Sequence, residues 1–408
     1  MRLKKLIALS LLAASAITAS AEAKYVFYFI GDGMGIAHIT NSQLYNRNVL
    51  KRDKPLLMTT FPVVSMATTH SASSDVTDSA AAGTALATGH KTKNGMLGMN
   101  ADTVAVTSVA KTLFDRGYGV GIVTSVAIDD ATPGAFYTHV ENRNMFYETG
   151  RYLAESGYQF FAGAGLRGTK DSKGNDNGLL DYIRKSGVSI SYGLDGVDTT
   201  ADRMLILSPF HEKNQNEIGL AIDSIPGALT LPALTRAGLD QLMRTSPDRF
   251  FMMVEGGSID HAGHGNDGGT VLREVINFND AMQIAYDFYL LHPDETLIVV
   301  TADHETGGLG IGYKTTNYDT FLTNLAHQKM SYAKFDSTYV NNYVKNQTPF
   351  ETAMQDVKAN FGLTLPTDPD AANAGKLLLT DYEVENLRKA YERTLEVGAA
   401  SQKEMSQQ

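Results

Sequence analysis

The sequence predicts an α/β fold, a three-layer sandwich in which helices cover both faces of a central, mostly parallel sheet. Short runs rich in Val, Ile and Phe recur without polar alternation, as expected of strands buried on both faces. Helical stretches separate these runs, an order typical of layered α/β domains. The predicted strands are YVFYFIGDG (25–33), VVSMATT (63–69), GVGIVTS (119–125), RMLILS (203–208), FFMMVEGG (250–257) and TLIVVTADHE (296–305).

Helices are predicted over 79–89, 101–116, 270–291 and 376–397, and the last of them frays into a polar tail. Residues 307–375 are rich in Tyr, Asn, Thr and Asp and have weak periodicity. We therefore expect an inserted surface subdomain over that range.

Residues 1–23 have the features of a signal peptide. A basic start precedes the apolar stretch LIALSLLAASAI, and small residues offer cleavage sites after Ala21 or Ala23. The apolar stretch is too short to span a bilayer, so we expect no membrane span in the mature chain. Residues 24–408 are expected to form one exported domain, periplasmic or secreted.

Composition narrows the classes of function. The 408 residues are 43% hydrophobic and contain no cysteine, which excludes disulfides and zinc-thiolate sites. The mean hydropathy of −0.17 argues against a membrane bundle. The net charge of −10 disfavours nucleic acid as a partner. An anionic substrate would need concentrated positive charge, for which bound metal ions are the obvious source.

Four predicted strands lead into polar residues with metal-binding or catalytic chemistry. These residues are Asp32, Asp130 with Thr132 shortly after it, Glu255, and the pair Asp303 and His304. Ligands of open α/β sheets bind outside the carboxyl ends of the strands, so we expect these side chains to converge on one crevice.

The stretch VEGGSIDHAGHGND (254–267) joins five metal-capable side chains to four glycines. It is either a solvated acidic loop or one wall of a metal site. Asp260 and His264 are four residues apart, so a helical turn would place them on one face, and a glycine-rich loop could bring them together equally well.

A candidate nucleophile lies in SDVTDSAAAGTALATGHKTKNG (74–95). With Asp78 at the N-cap, Ser79 would occupy the first turn of a helix, where free backbone N–H groups favour negative charge. That position suits a serine that becomes phosphorylated. The alternative is an ordinary helix cap.

Five ordered motifs, from about residue 25 to about 310, resemble the alkaline phosphatase family. They are FIGDGMG, VTDSAAAGTA, DDATPGAFYTHVENR, VEGGSIDHAGH and TADHETGG. The resemblance implies hydrolysis of small phosphate monoesters through a phosphoserine at Ser79, with Arg143 gripping two phosphate oxygens. It also implies two zinc ions, one magnesium ion and a homodimer.

The resemblance assigns ligands to the three metals. Asp32, Asp303 and His304 match the zinc that activates Ser79, which itself faces this metal. Asp260 and His264 match the other zinc, and Thr132 and Glu255, together with Asp32, match the magnesium. The mixed imidazole and carboxylate sets suit zinc, and the all-oxygen set suits magnesium.

Three further residues have supporting roles by the same resemblance, each with a purely structural alternative. Asp130 would hydrogen-bond magnesium waters, His261 would tune the magnesium site, and Asp78 would orient Arg143 as well as cap its helix.

The sequence departs from the family pattern at one point. The family has another zinc-ligand histidine near the C-terminus, whereas no histidine follows His327 here. Truncation is the preferred explanation, and replacement of that ligand by His327 or by water is the other. Two alternative functions therefore stay open: a phosphate-binding relic without turnover, and a phosphodiesterase or sulfatase relative.

Overall fold

The structure is a computed structural model that describes residues 22 to 398. The expected signal peptide lies almost wholly outside the described residues, as does the polar tail that follows the last helix.

Within the described chain, seven strands form one sheet with the order β4-β5-β3-β2-β6-β1-β7, and all neighbouring strands are parallel. The predicted fold class is therefore confirmed. The strands are β1 (Tyr25–Gly31), β2 (Gly119–Thr124), β3 (Phe160–Gly163), β4 (Ser189–Tyr192), β5 (Met204–Leu207), β6 (Phe250–Gly256) and β7 (Thr296–Ala302).

Helices flank the sheet on both faces. They are α1 (Ile36–Asn48), α2 (Ser79–Thr88), α3 (Val109–Asp115), α4 (Ala131–Gly134), α5 (Phe146–Glu155), α6 (Leu179–Lys185), α7 (Leu231–Thr245), α8 (Ser258–His264), α9 (Gly268–Leu291), α10 (Tyr332–Phe335), α11 (Asn341–Asn346), α12 (Phe350–Phe361) and α13 (Asp381–Val397). Among residues 22–398, none of these helices combines the length and the apolar character needed to cross a lipid bilayer.

Two cores fill the spaces between the layers. On one face of the sheet, side chains such as Phe27 and Phe29 of β1 pack with residues of α1, α7 and α9. On the other face, residues such as Ile122 of β2 and Met253 of β6 pack with α2, α3, α5 and α6. Burial on both faces explains why these strands lack polar alternation.

The parallel register brings the expected site residues to one edge of the sheet. Gly31, the last residue of β1, is paired with Gly256 of β6 and with Ala302 of β7. Asp32 and Asp303 therefore follow two neighbouring strands at the same level, and Glu255 lies one residue before the end of β6.

The predicted strand at 63–69 is wrong. In the structure this stretch has no regular secondary structure, and Val63, Val64 and Met66 are 85%, 86% and 91% exposed. β propensity alone does not make a strand, because a strand also needs a hydrogen-bonded neighbour. No other part of the described chain pairs with this stretch.

Other boundaries also differ from the predictions. The helix expected at 101–116 begins only at Val109, because Met99 and Ala105 form a β-bridge and Thr103 adopts a positive φ of 64°. The helix expected at 376–397 begins at Asp381, where Thr380 and Glu383 form a capping box. Strands β3 and β4, of four residues each, were not predicted.

The segment 307–375, expected as an inserted subdomain, contains 3₁₀ turns followed by α10, α11 and α12. Its helices form two small cores with α13. Asp267 fixes this segment to the start of α9, because its carboxylate accepts hydrogen bonds from Thr270, from Gln328 and from the backbone N–H of Tyr332. Asp267 is thus a capping residue. The status of this segment as an insertion stays a prediction.

Candidate active site

The candidate nucleophile begins helix α2. Asp78 is the N-cap, and its Oδ1 accepts a hydrogen bond from the backbone N–H of Ala81 at 2.9 Å. Its Oδ2 accepts another from the N–H of Gly95, also at 2.9 Å. Ser79 is the first residue of the helix and is 6% exposed. The sequence prediction of a serine in the first turn is confirmed.

The Ser79 hydroxyl points to the carboxyl ends of β1 and β7. Its Oγ lies 3.1 Å from Nε2 of His304 and 3.5 Å from Oδ1 of Asp32. The other oxygen of Asp32 accepts a hydrogen bond of 3.3 Å from the Thr132 hydroxyl. Gly83 permits this packing of α2 on α4, because a Cβ at that position would lie 3.2 Å from the Cα of Thr132.

Three of the predicted metal ligands form a compact group. Asp32, Asp260 and His304 each offer one ligand atom, and these atoms lie within 4.8 Å of one another. Nε2 of His304 also lies 3.4 Å from Oδ2 of Asp303. The group joins ligands assigned to both zinc ions, and its mixture of carboxylates and an imidazole suits zinc.

Two buried carboxylate oxygens in this site have no hydrogen-bond partner: Oδ2 of Asp303 and Oε1 of Glu255. The other oxygens are satisfied, since Oδ1 of Asp303 accepts from the N–H groups of Gly33 and His304, and Oε2 of Glu255 accepts from the Thr124 hydroxyl. A buried carboxylate oxygen without a partner is costly, so the donor set fits bound cations.

The electrostatics of the site lead to the same conclusion. Burial raises the pKa of Asp32 well above its usual range, and the Asp303 carboxylate raises it further. Burial also raises the pKa of Glu255, to about 8, and the pKa of Asp303. Carboxylates that share a buried space oppose one another's ionisation, and a cation among them would relieve that repulsion.

Asp260 and His264 converge from one turn of α8, so this stretch is helical and not a loop. Nε2 of His264 lies 3.3 Å from Oδ2 of Asp260. The Thr306 hydroxyl donates to Oδ1 of Asp260 at 2.5 Å. Burial opposes ionisation of Asp260, but the hydrogen bonds from His264 and Thr306 outweigh it and keep its pKa below the usual value.

Arg143 lies between two carboxylates. Its NH1 is 3.4 Å from Oδ2 of Asp78, and its NH2 is 3.2 Å from Oδ1 of Asp130. The guanidinium is therefore connected to the residue that precedes Ser79, and its side chain remains 31% exposed. A planar, partly accessible guanidinium at such a position can bind two oxygens of a phosphate.

Asp130 and His261, the predicted supporting residues, are neighbours. Oδ2 of Asp130 lies 4.0 Å from Nε2 of His261, whose Nδ1 is 3.0 Å from Oε1 of Glu217. Oδ2 of Asp130 also accepts a hydrogen bond from Arg167. Neither Glu217 nor Arg167 was predicted from the sequence. Arg167 follows β3, a strand that the sequence did not predict, and Glu217 lies in the long connection between β5 and α7.

The structure thus brings the predicted site residues to one end of the sheet. Whether the assigned ligands bind metals stays a prediction. The assigned set is Asp32, Ser79, Thr132, Glu255, Asp260, His264, Asp303 and His304, with Arg143 beside it.

The fold and these clustered side chains define an α/β sandwich protein with a helix-capped serine facing carboxylates and an imidazole. A statistical model of the alkaline phosphatase family matches residues 23–157 and 211–363. The chain belongs to the alkaline phosphatase family, and the resemblance found in the sequence is confirmed.

The sequences of individual alkaline phosphatases are also similar to this chain. The chain is 30% identical over 346 residues to the repressible alkaline phosphatase of Saccharomyces cerevisiae, an alignment covering 76% of this chain and 61% of the yeast protein. The chain spans about three fifths of the length of such curated relatives.

Solved structures are similar as well. A cold-active alkaline phosphatase from the psychrophile Shewanella sp. superposes with a TM-score of 0.72 at 27% identity, covering 91% of this chain and 86% of that one. A variant of the alkaline phosphatase from the Antarctic bacterium TAB5, with magnesium bound in its M3 site, gives a TM-score of 0.63 at 30% identity, covering 72% of this chain and 81% of that one.

Proposed function

We propose that this protein hydrolyses phosphate monoesters through a phosphoserine intermediate at Ser79. The observation that carries the proposal is the position of the Ser79 hydroxyl. It lies at the N-terminus of α2 and within 3.5 Å of both His304 and Asp32. Membership of the alkaline phosphatase family supports the same reaction class.

In the proposed reaction, the hydroxyl of Ser79 releases its proton to solvent, and its Oγ attacks phosphorus in line with the ester oxygen, which later takes up a proton from solvent. The Oγ–P bond forms while the ester P–O bond breaks, and the leaving group departs as an alcohol after protonation. Water then attacks the phosphoserine from the vacated side, which releases inorganic phosphate and restores the hydroxyl. Arg143 binds two non-bridging oxygens in both steps, and the first-turn N–H groups of α2 stabilise their negative charge.

The carboxylates and imidazoles would hold two zinc ions and one magnesium ion. One zinc would be held by Asp32, Asp303 and His304, the other by Asp260 and His264, and magnesium by Asp32, Thr132 and Glu255. Magnesium in the M3 site of the TAB5 variant supports a metal requirement. Such ions would lower the pKa of the serine hydroxyl and stabilise charge on the entering and leaving oxygens.

Small, soluble phosphate monoesters are the proposed substrates. The acidic chain disfavours polyanions, and Arg143 fits a terminal phosphate. We also propose that the protein is exported to the periplasm or secreted, and that it forms a homodimer as the family resemblance implies. A phosphate-binding protein without turnover is the second candidate, because the imidazole of His264 is 70% exposed and this zinc would have only two of the assigned protein ligands.

Hydrolysis of p-nitrophenyl phosphate in zinc and magnesium tests the enzyme proposal. We expect activity from the unmodified chain, none from Ser79→Ala, and full activity from the control Ser337→Ala, whose exposed hydroxyl donates to the carbonyl of Lys334. Phosphate binding without activity above the Ser79→Ala level would favour the second candidate. Faster hydrolysis of bis-p-nitrophenyl phosphate or of a sulfate ester would favour a phosphodiesterase or sulfatase.

A further inference from the structure

A second arginine, Arg167, contacts the same carboxylate as Arg143, that of Asp130, and has two further contacts. Its NH2 donates to Oδ2 of Asp130 at 2.8 Å, and its Nε donates to Oδ1 of Asn216 at 2.9 Å. The guanidinium also covers the ring of Phe146, 5.4 Å from the centroid. With only 21% of its side chain exposed, Arg167 has little freedom to move.

The turn that carries Arg167 is itself fixed. The backbone N–H groups of Arg167 and Gly168 donate to the two oxygens of the buried Asp129 at 3.0 and 2.9 Å. Gly168 is pressed against the start of α5, since a Cβ there would lie 2.4 Å from the carbonyl oxygen of Phe146. This contact packs the Arg167 turn against Phe146, which lies only three residues after Arg143 in the sequence.

The Asp130 carboxylate is divided between the two arginines. Its Oδ1 accepts from NH2 of Arg143 at 3.2 Å and from the N–H of Ala131 at 2.8 Å, whereas its Oδ2 accepts from Arg167. Asp130 is 6% exposed, so both oxygens need partners within the protein. If Arg167 were absent, Oδ2 would keep only His261 nearby, at 4.0 Å, and could form a second bond with Arg143.

We propose that Arg167 is a positioning residue that acts through Asp130: by occupying Oδ2, it limits Arg143 to a single bond with Asp130 and leaves the guanidinium free for phosphate. The inference rests on the proposed function for the role of Arg143. A carboxylate with two free oxygens binds a guanidinium side by side, and this pairing would compete with phosphate for the same N–H groups.

Isothermal titration of the zinc- and magnesium-loaded full chain with inorganic phosphate tests the proposal. We expect Arg167→Met to weaken phosphate binding by about tenfold, a coupling of the size found between residues in one hydrogen-bonded network. In an Asp130→Ala background the same substitution should change the affinity less than twofold. Arg184→Met, which removes a surface partner of Asp181, is the matched control and should have no effect.

Equal weakening in both backgrounds would overturn the proposal, because Arg167 would then act on phosphate directly by its charge. No weakening in either background would overturn it as well. Arg167→Lys keeps the charge and loses the geometry that reaches Asn216, so it should weaken binding in the same direction by a smaller factor. Wild-type affinity in that variant would also contradict a positioning role.

Crystal structures of the unmodified chain and of Arg167→Met, both without phosphate, give a test that does not depend on the proposed function. We expect both oxygens of Asp130 to contact Arg143 in the variant. An unchanged single contact would overturn the proposal. If the unmodified chain binds no phosphate, the proposed function fails, whereas the crystal structures still decide whether Arg167 sets the position of Arg143.

Discussion

Oγ of Ser79 lies 3.1 Å from Nε2 of His304, although the two residues are 225 positions apart in the sequence. The parallel sheet accounts for this proximity, because β7 delivers His304 to the edge where α2 begins. The same edge receives Asp32 from β1, which contacts both residues. A nucleophile and its surrounding charges are thus assembled from three distant segments.

Metal binding should stabilise the folded protein. The unpartnered oxygen of Asp303 and the crowded carboxylates around it favour cations in the folded state only. At a metal concentration about 100-fold above the dissociation constant, we expect stabilisation of about 3 kcal/mol, seen as a higher melting temperature. Asp303→Ala should lose most of this gain, whereas the exposed control Asp102→Ala should keep it. A melting temperature indifferent to both metals and chelator would contradict the assignment.

Arg143→Ala should reduce both phosphate affinity and turnover. Loss of a guanidinium that binds two phosphate oxygens is expected to cost about 2–4 kcal/mol in the transition state. Arg143→Lys should recover only part of this loss, since an ammonium cannot form the planar pair of bonds. The inhibition constant of inorganic phosphate measures the binding part of the effect. An unchanged inhibition constant in Arg143→Ala would show that Arg143 does not bind phosphate. Arg151→Ala, which changes an arginine on the surface, is the control.

Asp78 has two separable roles, as helix cap and as partner of Arg143. Asp78→Ala removes both, so we expect a loss of about 1 kcal/mol in the free energy of unfolding and weaker phosphate binding. Asp78→Asn retains a capping oxygen and loses the negative charge. It also loses the oxygen that accepts from the Gly95 N–H, so it should lose some stability but less than Asp78→Ala, while its phosphate affinity changes. Urea unfolding and phosphate titration of both variants separate the roles, and an equal loss of stability in the two would contradict the capping role.

Glu274, which lies on α9 and is not one of the assigned metal ligands, should make the stability of the protein depend on pH. Burial raises its pKa from 4.5 to about 8, with Glu217 and Asp223 nearby, although the N–H of Ala221 donates to it. The folded state therefore holds this proton more tightly than the unfolded state. Its contribution to stability is complete below about pH 4.5 and is lost as the pH rises to about 8, by as much as about 5 kcal/mol.

Glu274→Gln should accordingly flatten the pH dependence of the free energy of unfolding between pH 5 and pH 8, relative to the exposed control Glu212→Gln. Urea titrations of metal-free protein across this range measure the slope. Identical slopes in the two variants would show that Glu274 does not hold a proton in the folded state.

The sequence was sufficient for the fold class and for the residues at the strand ends. Strands β1, β2, β6 and β7 have six or seven mostly apolar residues, so their pattern is strong, and the residues at their carboxyl ends must meet at one edge of a parallel sheet. The helix N-terminus at Ser79 followed from the capping chemistry of Asp78. These predictions rely on local signals that tertiary structure does not override.

Other features depend on contacts between segments that are far apart in the sequence. The stretch 63–69 has the composition of a strand, yet no described segment pairs with it, and pairing cannot be judged from one run of residues. Arg167 follows β3, a four-residue strand that was not predicted, so nothing in the sequence connects it to Asp130. The division of the Asp130 carboxylate between two arginines is visible only when both arginines have positions in space.

The most direct test is whether Ser79 becomes phosphorylated. The zinc- and magnesium-loaded chain would be incubated with inorganic phosphate at mildly acidic pH, quenched in acid and digested, and its peptides examined by tandem mass spectrometry. We expect one phosphoryl group on Ser79, absent when His304 is replaced by alanine. A chain that hydrolyses p-nitrophenyl phosphate yet carries the phosphoryl group on another residue, or on none, would contradict the assignment of Ser79 as the nucleophile.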